Sequence, residues 1–293
     1  MSKKIKLLIA IIIFLIASQW LAVRMVYKHK LNGAPAIALA KLYNLKAGTI
    51  EEPDQVFVIS LDDYLKHKEF VLKYIVNTED SSMSEADADI MAWNRVLKNV
   101  WLVKIGEANE LTVTDEELDM YLQSTPDVEE LKKEIEETLK VPFDDYVDLM
   151  VRPLILEAKI YEHLIFNFGD AEGVTKIQAA YMELENGRDF LDVAGEYADD
   201  SQYIHNTLWV SEDEISAMYE PVSELKVGEF SKIVQIPGAY GVIPGGYMIW
   251  LVESIVEDEG KEARELRGIF VAAKEIDQFL LEYLEQVNIN KIY

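Results

Sequence analysis

Cysteine is absent from this chain of 293 residues. That excludes disulfides, thiolate catalysis and Cys-ligated zinc, while leaving the redox compartment open. Histidine is scarce. His29, His67, His163 and His205 are scattered, and no two stand at His-x-x-x-His zinc spacing. The adjacent acid pairs Asp62-Asp63, Asp144-Asp145 and Asp199-Asp200 lack calcium-loop spacing and read as surface or capping residues. The glycine-rich stretch Gly238–Gly246 has no Lys-Ser/Thr and no following helix. It is therefore no phosphate loop and reads as a hairpin connection. No metal and no cofactor is expected.

Positive charge is also in short supply. Lys and Arg number 28 against 53 Asp and Glu, a formal net charge of −25. Residues 1–30 hold Lys3, Lys4, Lys6, Arg24, Lys28 and Lys30 and no acid, so the remainder is more acidic still. Such a field repels phosphate backbones and disfavours nucleic-acid binding. It fits either a solvated acidic surface or an attraction to basic client segments.

What is present begins with an uncharged run, Leu7 to Val23. Its 17 residues reach about 26 Å as a helix, near the thickness of a thin bilayer. Trp20 lies near its end, and no small-x-small cleavage site follows. A membrane anchor over residues 1–30 is expected in preference to a cleaved signal peptide, with the large remainder extracytoplasmic. Residues 31–55 mix Pro, Gly and small residues and read as a linker. Residues 56–168 read as helices. Ser60 precedes an apolar-periodic run, and Trp93, Leu97, Val100, Trp101, Ile105 and Ala108 share one face. Thr114 and Glu117 form a capping box.

The texture changes after Gly169–Gly173. Two short helices, Thr175–Glu185 and Asp189–Tyr197, flank Asn186-Gly187, and a loop over 198–207 follows. Leu208-Trp209-Val210 is extended, and Ser211-x-x-Glu214 caps another helix. Phe230–Ile236, Tyr247–Val256 and Leu266–Ala272 are strand-like. A last helix over Glu275–Val287 precedes an extended end.

Two stretches resemble a known family. Val96–Leu122, with Ala108, Leu111, Val113, Thr114, Asp115, Glu116, Glu117 and Leu118, resembles the helical chaperone domain of SurA- and PrsA-type proteins. Ile177–Asp200 resembles the opening helices of a parvulin isomerase domain through Gly187, Asp189-Phe190, Ala194, Glu196-Tyr197 and Asp199-Asp200. Ser223–Ser231 (SELKVGEFS) and Tyr247–Val252 (YMIWLV) are similar to the turn and strand that follow in that family. The first strand of the family is missing before Thr175, and Leu266–Val271 is the candidate to replace it, as the second strand of a hairpin running from Tyr247–Val256 into Leu266–Ala272. The resemblance therefore implies an α+β protein: a transmembrane helix, an all-helical SurA-like domain over 56–168, and a small mixed or antiparallel parvulin-like sheet with helices over 169–293. The sheet would be circularly permuted, unless Leu266–Ala272 adds elsewhere.

Parvulin chemistry lowers a rotational barrier of about 18–20 kcal/mol without a covalent intermediate. The family's two histidines align here with Gly268 and Met248, so its catalytic set is largely missing. Met218, Tyr247 and Met248, with Trp209 and His205, are the candidate substrate-groove residues. Their alternative reading is ordinary core for the first three and a solvated loop for His205. The resemblance implies a membrane-anchored, extracytoplasmic folding factor with weak or absent prolyl isomerase activity, whose partners are unfolded or nascent chains and, through residues 7–23, the membrane. An active isomerase and a non-catalytic surface scaffold are the alternatives.

Overall fold

The computed structural model describes residues 3–28, 30–31, 33–75, 84–167, 169–211, 220–236, 245–258 and 261–293. The chain divides into two units, residues 1–157 with 280–293, and residues 158–279.

In the first unit, helix α1 (Lys3–Val23) continues into a wider turn, Arg24–Lys28. Ala22 and Val26 are buried, and Val26 belongs to the unit's main core. Among the described residues no helix is long and apolar enough to cross a membrane. This corrects the expected anchor over 1–30 and the membrane-anchored, extracytoplasmic localisation that hung on it. Lys3, Lys4 and Lys6 occupy the start of α1, and the uncharged remainder, about 26 Å long, is short of a hydrocarbon core of about 30 Å.

The expected linker over 31–55 is also corrected. It holds helix α2 (Gly33–Leu42) and strand β1 (Lys46–Glu51). Pro35 lies in the first turn of α2, where its missing N–H costs nothing. Strand β2 (Val56–Ser60) returns antiparallel to β1 through a turn at Pro53-Asp54, closed by the Glu52 N–H donating to the Gln55 carbonyl at 2.8 Å. Ser60 then caps helix α3 (Leu61–Phe70), its hydroxyl accepting from the Asp63 N–H. Helix α4 (Glu85–Ala108) opens on a Ser84–Asp87 capping box and helix α5 (Asp115–Ser124) on the Thr114–Glu117 box. Short helices α6 (Val128–Lys133) and α7 (Phe143–Tyr146) lead to α8 (Arg152–Phe166).

The helical region is therefore not all-helical. Its core, around Ile50, Ile59, Leu61, Tyr64 and Trp93, is floored by a three-stranded sheet of order β2-β1-β7, and β7 (Asn288–Lys291) comes from the far end of the chain. A Cβ at Gly48 would lie 2.6 Å from the Trp93 ring, so only glycine lets β1, β7 and that ring meet. Glu52, at the hairpin turn, accepts from the Lys104 ammonium and from the Tyr283 hydroxyl.

The second unit packs α9 (Ala171–Glu185) and α10 (Phe190–Tyr197), followed by the single-turn α11 (Gln202–His205), on a four-stranded antiparallel sheet of order β3-β6-β5-β4. The strands are β3 (Leu208–Ser211), β4 (Val234–Ile236), β5 (Gly246–Asp258) and β6 (Lys261–Ala272). The expected pairing of Tyr247–Val256 with Leu266–Ala272 is present, with an irregularity between Val252 and Ser254. Phe230 contributes only an isolated bridge to Leu251, so β4 is shorter than expected. Gly187 and Gly228 both have left-handed φ, 84° and 85°, as a helix end and a tight turn require. The expected cap at Ser211–Glu214 and the Gly238–Gly246 connection fall mainly outside the described residues. Helix α12 (Ile276–Gln286) then leads to β7, so residues 280–293 leave the expected 169–293 domain.

Both faces of the four-stranded sheet are covered. Tyr247, Ile249, Ile269 and Val271 pack with Ile177, Ala180, Phe190 and Val193. Met248, Trp250, Val252, Leu266 and Phe270 pack with Val210 and Val222. This explains why the β5 segment YMIWLV is continuously apolar where a half-buried strand would alternate. Arg264, itself buried, donates to the carbonyls of Val222, Ser223 and Leu225 and to Glu262, pinning the 222–225 turn.

Candidate functional site

The four described candidate groove residues, Trp209, His205, Tyr247 and Met248, do not form one groove. Tyr247 and Met248 are neighbours on β5, so their side chains leave opposite faces of the sheet. Each is buried in a different core. Burial, then the nearby Asp170 and Tyr161, pushes the Tyr247 phenol up to about 12. Asp170 caps α9, accepting from the Gly173 N–H and from the Lys274 N–H, each at 3.2 Å. His205 is exposed at the end of α11, and Trp209 is 48% exposed on β3. Met218 lies outside the described residues.

The two positions that align with family histidines do come together. Met248 pairs with Phe270 and Trp250 with Gly268, so positions 248 and 268 are diagonal neighbours on one face. The space there is full. A Cβ at Gly268 would lie 2.8 Å from the Met248 sulfur and 2.9 Å from the Trp250 ring. The buried Trp250 indole fills the space beside Gly268.

The remaining titratable groups read as structural. Among the described residues no cluster of His, Asp or Glu is arranged to hold a metal ion. Asp199 accepts from the Ala272 N–H at 3.0 Å and pairs with Lys176, while Asp200 accepts from the Gln202 N–H. His67 is buried, and its pKa is pulled down to about 4 by desolvation first, then by Arg95 and Lys66.

The first unit holds a feature that motif reading missed: an open groove of about 420 Å³. Ala34, Ile37 and Ala38 of α2 form one wall, Phe70 and Val141 the floor, and Leu149 the far side. Ala34 and Ala38 are exposed one helical turn apart, so a small-residue stripe leaves the trough open. Phe70 and Val141 are buried. The Arg95 guanidinium lies 5.4 Å from the Phe70 ring centroid, and the Tyr146 ring 6.4 Å away. The lip is made by Lys140, which adopts a left-handed φ of 57°. That turn lets the Val141 N–H reach back to the Ile135 carbonyl at 3.1 Å and closes the preceding helical segment. Lys66, Lys73 and Lys140 stand around the groove with Glu69 and Asp145. Lys73 bridges the two lips, pairing with Glu69 at 2.6 Å and donating to the Lys140 carbonyl at 3.3 Å.

No local motif announces this groove, because it is assembled from residues 34–38, 66–73 and 140–149. The available hint was the small-residue helix AIALA, here read as a linker. The chain matches no family model, no curated protein and no solved structure, so the SurA/PrsA and parvulin resemblance stands on the residues quoted for it.

Proposed function

We propose that the protein is a chain-binding folding factor that holds short, extended, apolar segments of unfolded polypeptides. The observation that carries this reading is the groove between α2, α3 and residues 140–149. Its apolar lining and its volume of about 420 Å³ suit a few side chains of an extended segment, while its openness allows the segment to run through. Binding at such a site is transient, because an area this small yields modest affinity. A client is released to fold. The residues similar to SurA- and PrsA-type chaperones support the same reading. The filled space beside Gly268 gives no support to strong isomerase activity.

The test is suppression of aggregation. A denatured test protein is diluted into buffer with the full chain, and light scattering is followed. Scattering falls with the wild-type chain and stays high with Ala34→Gln/Ala38→Gln, which fills the groove with good helix formers at two exposed positions. Unchanged scattering with the wild-type chain, or equal suppression by the variant, overturns the reading.

A further inference from the structure

The net charge of −25 suggests a preference for basic clients, yet the groove carries the opposite local sign. Its lining includes three lysines and two carboxylates. Lys73 is already engaged by Glu69. Lys66 and Lys140 have no ion pair among the described residues, and Lys140 is exposed at the lip. The other nearby cation, Arg95, is committed below the floor, where it donates to the Leu149 carbonyl at 2.8 Å. An apolar trough is thus bordered by two unpaired ammonium groups, each able to donate three bonds, against one exposed carboxylate, Asp145, leaving a local excess of one positive charge.

Resting on the chain-binding reading, we propose that the groove selects an extended segment in which apolar residues adjoin acidic side chains. The apolar residues occupy the trough between Ile37, Ala38, Phe70 and Val141. The carboxylates reach Lys66 and Lys140. A segment flanked by lysine meets like charge at the same lip and is rejected, although the chain as a whole is strongly acidic. Long-range and contact electrostatics therefore oppose each other. Salt screens surface charges separated by more than about 10 Å, while partly desolvated pairs at the lip are screened less. Discrimination lives in the contact, not in the overall field.

The experiment uses the full chain and three dye-labelled peptides, each with one Leu-Phe-Val core followed by two Glu, two Gln or two Lys residues. Fluorescence anisotropy gives the affinities. The Glu peptide binds about tenfold tighter than the Gln peptide, as two surface ion pairs allow, and the Lys peptide binds weakest. In Lys66→Gln/Lys140→Gln the Glu peptide falls to the affinity of the Gln peptide, whose own binding is unchanged. Equal affinities, a reversed order, or discrimination that survives in the double variant overturns the acidic selection. Equal binding of all three peptides that Ala34→Gln/Ala38→Gln abolishes refutes the selection and leaves the chain-binding reading standing. Absence of binding by every peptide refutes both.

Discussion

The two sheets of this protein solve the same problem differently. The four-stranded sheet of residues 208–272 is sealed on both faces, with Tyr247 and Ile249 in one core and Met248 and Trp250 in the other. The three-stranded sheet of residues 46–60 and 288–291 is sealed on one. Phe57, Ile50 and Ile289 align across it toward the core. On the outer face Val58 aligns with Thr49 and Asn290, and Val56 with Glu51 and Asn288; the two valines are 50% and 58% exposed. A sheet sealed on both sides specifies itself tightly and leaves no room for a guest, as the crowding at Gly268 shows. In the first unit a main core lies on one face of this sheet and a smaller one gathers around Phe70, Ile135 and Val141, and the groove lies where the two approach each other.

The contrast can be broken most strongly at Trp250. Trp250→Ala removes a fully buried indole and costs about 3–5 kcal/mol by urea denaturation. Hydrogen exchange should accelerate in 246–272 and leave 46–60 protected. Equal acceleration in both segments erases the distinction. Next comes acid. The folded pKa of His67, about 4, lies below its unfolded value of about 6.5. The unfolded chain therefore binds the extra proton between those values, and stability is lost as pH falls through that window, on the order of 3 kcal/mol in all. His67→Gln should flatten this part of the profile of urea midpoint against pH. A slope that persists assigns the loss to other groups. Gly268→Ala, which pushes a methyl against Met248 and Trp250, costs about 1–3 kcal/mol. A neutral result would mean that the sealed sheet has slack after all. Smallest is Val58→Ser on the open face, within about 0.5 kcal/mol in the same denaturation assay. A larger loss would show that the face is covered.

Local structure was legible wherever local chemistry determines it. The Thr114–Glu117 box, the helix start after Ser60 and the β5–β6 hairpin all follow from neighbours in sequence. Non-local structure was not. Lys46–Glu51 pairs with Asn288–Lys291 across most of the chain, and no periodicity within either segment announces its partner. The helix at 33–42 was hidden by Gly33 and Pro35, which mark loops as readily as helix starts. The site suffered most. Tyr247 and Met248 read equally as core and groove because continuous apolar runs lose the alternation that tells one face from the other.

Strand β7 has a consequence for biosynthesis. Residues 46–51 emerge early from the ribosome, whereas 288–291 emerge after the entire 158–279 unit. Until then the far edge of β1 offers unpaired N–H and C=O groups, and the Trp93 ring lacks the strand that covers it. The segment made first is thus among the last to be finished, and closing so long a loop slows the final step. During that interval this chain itself carries the kind of exposed, unpaired surface that other proteins need help to hide.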